Sequence, residues 1–293
     1  MNDTTDHNAT DTALSGVSFD HVAIAVARIT DPWPLLADVL GGRYADRGIN
    51  AEFGWTQLRF ANGFVVEGLH PEGDQPDSFL RRYLDRFGPG PHHLTFTVPD
   101  LDAALRRVRA VGLEPVGEDR SDPAWAEAFL RPDDAHGIVV QIAQVGEQPI
   151  TPPPEPEGFP ELPFDQPVAA LGRVVHAVRD LDGALRLFRD VLGGSVVSSG
   201  AAIDGNHWAE LSWGGAGHLR LLEATHAGRV ADWLDGRPGR LRHLFFSFDN
   251  PSWVPGAQEH ARGRWVVEAD DNVLGTRLVI ASTTAHTTRG ERN

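Results

Sequence analysis

The feature that most constrains the fold is a unit that recurs four times, an apolar strand that carries a histidine or arginine near its start. The four copies begin at Asp20, Pro91, Gly172 and Arg242. In the second copy, Leu94, Phe96 and Val98 alternate with polar residues, which is typical of a strand. Asp100 follows and offers a side chain that suits the start of a helix. A chain with four such units is expected to fold as four related modules.

The modules are arranged as two similar halves. Residues 39–42 read Val-Leu-Gly-Gly and recur 152 positions later at 191–194, where paired glycines again end a helical pattern. His93 likewise recurs as His243, 150 positions later. A nearly constant spacing indicates a duplication, in which each module has one strand, one helix and then about three more strands. We therefore predict an α+β fold of four βαβββ modules that pair into two domains.

A proline-rich segment separates the two halves. Residues 147–167 contain many prolines, which cannot join a helix or a central strand and which favour an extended, semi-rigid connection. The predicted domains are 17–146 and 168–282. The polar segments 1–16 and 283–293 have no apolar periodicity and are expected to be disordered tails.

Composition narrows the classes of function. The net charge of −15 argues against a nucleic-acid partner, because such proteins need basic surfaces to neutralise phosphates. The absence of cysteine leaves histidine, carboxylate and amide side chains as metal ligands. Residues 1–16 contain no apolar run, so we expect neither a signal peptide nor a membrane anchor, and we expect a cytoplasmic protein. A homodimer is left open.

The paired modules, with a histidine at the head of the first strand and the His-His pair of 92–93 opening the second module, resemble the vicinal oxygen chelate superfamily. This superfamily includes glyoxalase I, methylmalonyl-CoA epimerase, extradiol dioxygenases and the bleomycin resistance proteins. In its glyoxalase-like domains, two modules form a U-shaped sheet around one divalent metal ion, bound by the first and last strands of each module. The resemblance implies four metal ligands in 17–146, namely His21, Glu67, His93 and Gln141.

This ligand set suits metal-assisted chemistry. Two imidazoles, one carboxylate and one amide oxygen can hold zinc, nickel, cobalt, iron or manganese, and they leave positions for a bidentate oxygen substrate. The residual positive charge of such a site would stabilise an enolate or enediolate. We therefore expect an isomerase or lyase that moves a proton or rearranges a small oxygenated substrate. The resemblance to glyoxalase I implies that Glu67 is the catalytic base.

Two other functions stay open. One is an iron-dependent dioxygenase, although Gln141 stands where extradiol dioxygenases have a glutamate, and their site usually lies in the C-terminal half. The other is a non-catalytic protein that binds a ligand or drug in its cleft. A simple epimerase is disfavoured, because its two basic carboxylates would correspond to Gln57 and Gln141 and an amide is not a base. A single histidine at the head of a strand is also common as a plain structural residue.

The second half has lost part of the ligand set. We predict that the four corresponding positions hold Arg173, Glu223, His243 and Val279. Arginine and valine cannot complete a metal site, so this half is expected to be a degenerate glyoxalase-like domain. We predict that Arg173 takes the place of the metal and pairs with Glu223, and the alternative is that Arg173 points to solvent.

Overall fold

The computed structural model describes the following residues: 16–75, 77–147, 153–202, 205–224 and 228–283. The tails predicted at 1–16 and 283–293 lie outside these ranges, apart from Gly16 and Thr283 at their inner ends. Two eight-stranded sheets, one in each half of the chain, form the framework. Within the described ranges, no helix is both long enough and apolar enough to cross a membrane.

The first sheet contains strands β1 to β8. Their bounds in chain order are Ser18–Ala25, Arg43–Ile49, Phe53–Arg59, Val65–Pro71, Gly90–Thr97, Val116–Asp122, Trp125–Leu130 and Val139–Val145. In space they follow the order β2-β3-β4-β1-β5-β8-β7-β6. Strands β1 and β5 pair antiparallel at the centre, and each has a parallel partner on its other side, β4 for β1 and β8 for β5. The sheet is therefore two four-stranded modules joined through their first strands.

The second sheet repeats this arrangement with strands β9 to β16. Their bounds are Ala170–Val178, Ser195–Ala201, His207–Ser212, His218–Glu223, Gly239–Phe248, Gln258–Ala261, Arg264–Val267 and Leu278–Ser282. The order in space is β10-β11-β12-β9-β13-β16-β15-β14, which matches the first sheet strand for strand. The prediction of an α+β fold with four modules that pair into two domains is therefore confirmed. The domain limits at 17–146 and 168–282 stay predictions.

Short helices follow the first strands of three modules and connect the modules within each half. They are a π-type helix at Trp33–Val39, α1 at Phe79–Phe87, α2 at Leu101–Ala110, α3 at Leu181–Leu185, its π-type continuation at Arg186–Val191, and α4 at Arg229–Leu234. Asp100 starts α2 as predicted, since its side chain accepts a hydrogen bond of 2.9 Å from the backbone N–H of Ala103. The buried face of α2, including Leu101 and Leu105, then joins the apolar core.

The fourth module departs from the predicted pattern, because its first strand is followed by a single 3₁₀ turn, Pro251–Trp253, instead of a helix. Pro251 can begin a helical turn, but Pro255 lacks the N–H that the next turn would need. Gly256 adds a second helix-breaking residue. The segment therefore crosses to β14 without a helix.

One apolar cluster runs through both halves. Phe96 of β5 lies 4.8 Å from the ring of Trp213 and 5.9 Å from the ring of Phe188, between ring centroids. Phe60 contacts Phe246 across the same boundary, with centroids 5.1 Å apart. The two sheets are thus packed against each other through buried aromatic residues.

The described part of the proline-rich segment, 153–167, contains no helix or strand and follows the surface of the first half. The hydroxyl of Tyr44 donates to the carbonyl of Pro153 at 2.8 Å. The side-chain amide of Gln166 donates to the carbonyl of Asp38 at 2.6 Å. These contacts attach the segment to β2 and to the helix Trp33–Val39 of the first half.

Candidate metal centre

Three of the four predicted ligands meet on one face of the first sheet. In the β1–β4 pair Glu67 lies beside Ala23, and in the β1–β5 pair His93 lies beside Ala23. His21 is two residues earlier on β1 and therefore points to the same face. All three ligands are buried, and a ligand atom of each lies within 4.8 Å of the other two.

The distances between these atoms suit one metal ion. Oε1 of Glu67 lies 3.6 Å from Nε2 of His21 and 3.8 Å from Nε2 of His93. Ligand atoms about 2.1 Å from a tetrahedral metal lie about 3.4 Å from one another. Nε2 of His93 is buried and has no hydrogen-bond partner among the described residues. An unpartnered buried nitrogen destabilises a fold, and a metal ion would give it a partner.

Neighbouring side chains hold two of the ligands in place. Nδ1 of His21 donates to the carboxylate of Asp20 at 2.7 Å, which leaves Nε2 on the side of Glu67. The amide of Gln57 donates to Oε2 of Glu67 at 2.9 Å and leaves Oε1 facing the imidazoles. A carboxylate behind a histidine and a hydrogen bond behind a carboxylate are common supports of metal ligands.

Gln141 lies on the same face but is engaged by its neighbours. It sits beside Thr95 in the β5–β8 pair, and its Oε1 accepts a hydrogen bond of 2.6 Å from the Thr95 hydroxyl. The same hydroxyl lies 2.8 Å from Nε2 of His21. Thr95 therefore separates Gln141 from His21, and Gln141 would have to exchange this hydrogen bond for a metal to become the fourth ligand.

The sequence interpretation missed a second, half-buried carboxylate at this face. Glu127 on β7 accepts hydrogen bonds from the amide of Gln141 at 2.5 Å and from the indole of Trp125 at 2.8 Å. Burial raises the pKa of the Glu127 carboxyl. The alternation of Trp125, Glu127 and Phe129 in the sequence is the signal that predicts this strand face, and the pairing of β7 with β8 places it beside Gln141.

The charges around the candidate ligands favour a protonated His21 and a neutral His93. Burial opposes ionisation of His21, but the carboxylates of Glu67 and Asp20 raise its pKa to about 10. Burial also acts on Glu67, yet the charge of His21 holds the pKa of Glu67 below its usual value. Burial lowers the pKa of His93 well below its usual value, so His93 is neutral and offers a lone pair. A divalent ion would displace the proton of His21, as metals do when they bind imidazole.

The second half differs from the prediction at one position. Strand β12 places Arg220 beside Val175, as β4 places Glu67 beside Ala23, so Arg220 and not Glu223 corresponds to Glu67. The predicted pair of Arg173 with Glu223 is therefore wrong, since Arg173 donates to Oε2 of Glu210 at 2.9 Å. Glu223 lies farther along β12, where its carboxylate is 3.7 Å from Nδ1 of His207. Sequence similarity alone had not revealed this register, because the residues of β4 and β12 have little in common.

The other two corresponding positions agree with the sequence interpretation. His243 lies beside Val175, as His93 lies beside Ala23. Val279 lies beside Phe245, as Gln141 lies beside Thr95. The second face therefore keeps one histidine and none of the other three ligands.

Comparison with known proteins agrees with this architecture. Residues 20–129 match the model of the glyoxalase/bleomycin resistance protein/dioxygenase superfamily. The first half of the chain therefore contains a domain of this superfamily. No curated protein sequence is significantly similar to the chain.

Several solved structures are similar to the chain. A variant of 4-hydroxymandelate synthase from Streptomyces coelicolor is 15% identical, and the match covers 90% of this chain and 92% of that chain with a TM-score of 0.59. It shares the arrangement of two domains. Methylmalonyl-CoA epimerase from Mycobacterium tuberculosis is 28% identical over 46% of this chain and 92% of that chain, with a TM-score of 0.42.

Proposed function

We propose that the first half of the chain is a metal-dependent isomerase or lyase that moves a proton or rearranges a small oxygenated substrate. His21, Glu67, His93 and Gln141 would hold the ion, which would leave positions open for two oxygen atoms of a substrate. The observation that carries the proposal is the buried, unpartnered Nε2 of His93, which faces Oε1 of Glu67 at 3.8 Å. A core built only for packing has no reason to keep this arrangement.

The residues around the ligands have defined tasks in this proposal. A divalent ion supplies Lewis acidity that stabilises negative charge on the substrate oxygens. The carboxylate of Glu67 is ionised, so it can take a proton from substrate carbon and return it. Gln57 holds the second oxygen of Glu67 in position at 2.9 Å. Burial of all three ligands keeps water away from the proton in transit.

The first test is the metal content of the purified chain. We expect about one divalent ion per chain in the wild-type protein, by elemental analysis after reconstitution, and a loss of this ion in His93→Gln. His243→Gln is the matched control, because it changes the corresponding histidine of the second sheet and should keep the metal. A wild-type chain that binds no metal would reject the proposal and favour a protein that only binds a ligand in its cleft.

The role of Glu67 has a separate test. We expect Glu67→Gln to reduce exchange of substrate C–H for deuterium by about 100-fold or more, since a positioned base contributes at least that factor. Proton NMR in D₂O, with carbonyl compounds that carry an acidic C–H bond, measures this exchange. Glu223→Gln is the control, because this carboxylate lies outside the metal face. Full exchange activity in Glu67→Gln would assign the base to another residue.

A second candidate function rests on the composition of the closest cluster. His21, Glu67 and His93 are two histidines and one carboxylate, a set that non-haem iron enzymes use to activate oxygen. In that case the reconstituted protein should retain ferrous iron in preference to zinc, and oxygen uptake should follow addition of substrate. Turnover that continues without oxygen would favour the isomerase or lyase.

A further inference from the structure

The face of the second sheet that corresponds to the metal centre carries arginines in place of ligands. Arg173 stands at the position of His21, and Arg220 stands at the position of Glu67. Arg264 on β15 lies beside Ala281 on β16, as Glu127 on β7 lies beside Ala143 on β8. A third arginine therefore stands where the first half has Glu127. We call Arg173, Arg220, Arg264 and the enclosed Glu210 the cationic face.

The carboxylate of Glu210 pairs with two of the three arginines on this face. Oε2 of Glu210 accepts from Arg173 at 2.9 Å and from Arg220 at 2.6 Å, and Oε1 lies 2.9 Å from Nδ1 of His218. Arg264 is exposed and forms no ion pair within the part of the chain that the structure describes. Three guanidinium groups against one carboxylate leave two positive charges on this face, in a chain whose net charge is −15.

Aromatic rings hold the guanidinium groups in fixed planes. Arg173 lies 4.3 Å from the ring centroid of Phe245, and Arg220 lies 4.1 Å from that of Trp208. Both side chains remain about one quarter exposed, so N–H groups not bonded to Glu210 can reach a ligand. Stacked arginines present their donors with little further loss of side-chain entropy, which suits recognition of carboxylate or phosphate oxygens.

A half-buried histidine, His243, lies at the corresponding position of this face, beside Val175. Nδ1 of His243 is buried and has no hydrogen-bond partner among the described residues. Burial lowers the pKa of His243 to about 3, helped first by the charges of Arg277 and Arg242 and then by those of Arg173 and Arg220, so the ring is neutral. Burial, followed by the charge of Arg220, also lowers the pKa of Arg173.

We propose that the cationic face is a binding site for a small oxyanion, a carboxylate or a phosphate group, at the place that corresponds to the metal of the first half. The ligand oxygens accept from the free N–H groups of Arg173 and Arg220 and approach the charge of Arg264. Ion pairing within the protein does not account for the three arginines, because Glu210 neutralises only one of them and Arg264 has no carboxylate. The duplicated sheet thus carries a cation site in one half and an anion site in the other.

Titration with inorganic phosphate and with malonate tests this site. Calorimetry and tryptophan fluorescence at constant ionic strength measure binding, and fluorescence is informative because Arg220 stacks on Trp208. We expect saturable binding to the wild-type chain and a loss of affinity of about tenfold or more in Arg264→Gln and in Arg220→Gln. Arg264 is exposed, so Arg264→Gln is expected to fold normally even if Arg220→Gln does not.

Arg186→Gln is the matched control, because it removes one positive charge from a side chain that is 68% exposed and pairs with Asp180 at 3.7 Å on another surface. It should bind both anions like the wild type. Binding of phosphate alone assigns a phosphate ligand, and binding of malonate alone assigns a carboxylate. No saturable binding of either anion, or an equal loss in Arg186→Gln, would overturn the proposal. The metal content of the arginine variants should be unchanged, so the anion site and the metal site can fail independently.

Discussion

At the scale of single residues, the most informative position is Asp20. Consecutive residues of a regular strand point to opposite faces, which would separate Asp20 from the ring of His21. The β1–β5 pairing is interrupted between Phe19 and His21, so Asp20 is an extra, bulged residue. This irregularity lets its carboxylate reach Nδ1 of His21 at 2.7 Å.

Asp20→Asn should therefore weaken metal binding without removing a ligand. We expect a loss of affinity of about tenfold to 100-fold, because an amide does not stabilise the imidazole of His21 as a carboxylate does. Competition with a chromogenic chelator measures the affinity. Asp190→Asn makes the same chemical change on an exposed residue away from the site and should bind metal normally. Equal affinities in the two variants would show that Asp20 has no part in the site.

A residue of the candidate centre could be predicted where the pattern of its own strand marks it, and could not where its position depends on contacts with other strands. His21, Glu67 and His93 each stand at a repeated place in a recognisable strand, and the structure brings the three side chains together. Their role as metal ligands stays a prediction. Asp20 and Glu127 were missed because their positions depend on a bulge and on the pairing of β7 with β8. Alternation along the chain indicates which residues share a face of β7, but it does not reveal a bulge or which strand lies next to β7.

The His-His pair gives a similar lesson. Regular alternation predicts that His92 points away from His93, yet the β1–β5 register shifts at this point and His92 is the bulged residue. Its Nδ1 lies 3.0 Å from Nδ1 of His93. His92 therefore contacts the candidate ligand from the side opposite to Glu67.

At the scale of elements, helix α2 depends on its first turn. The side chain of Asp100 satisfies the backbone N–H of Ala103, which has no partner inside the helix. We expect Asp100→Ala to lower the free energy of unfolding by about 1 kcal/mol, measured by urea denaturation. Asp100→Asn keeps an acceptor at this position and should stay close to the wild type. If both variants lose the same stability, charge and not capping is responsible.

The elements show where prediction from sequence ends. The four first strands and the start of α2 were predictable from apolar alternation and a capping residue. The 3₁₀ turn at Pro251–Trp253 was not, because the repeat favours a helix there while Pro251 and Pro255 oppose one, and the repeat does not show which effect is larger. The assignment of Glu223 failed because strand register depends on hydrogen bonds between strands that are distant in sequence.

At the scale of the whole molecule, a hydrogen bond joins the two halves at a place where their backbones come into close contact. Nε2 of His176 on β9 donates to the carbonyl oxygen of His136, in the turn before β8, at 2.8 Å. The backbones of the two halves approach so closely there that a Cβ atom on Gly137 would overlap the carbonyl of Gly239. His176 is fully buried, and burial lowers its pKa to about 4.

His176 should make the stability of the folded chain depend on pH. The folded-state pKa of about 4 lies below the usual 6.5, so the unfolded chain binds the proton more readily. The stabilising contribution is complete above about pH 6.5 and is lost as the pH falls toward 4; it amounts to about 3 kcal/mol at most. Urea denaturation at pH 7 and pH 4.5 should show a smaller loss of stability in His176→Gln than in the wild type. An identical loss in both would mean that His176 does not govern this response.

The apolar cluster that runs through both halves has a consequence for inheritance. After a duplication, each copy can at first be lost, exchanged or recombined alone. Here Phe60 and Phe96 are buried against aromatic residues of the other half, so a gene fragment that encodes one half would produce a protein with a bare aromatic surface. A recombination that separates the two halves would therefore expose this surface, and a change in one half must be tolerated by its neighbour.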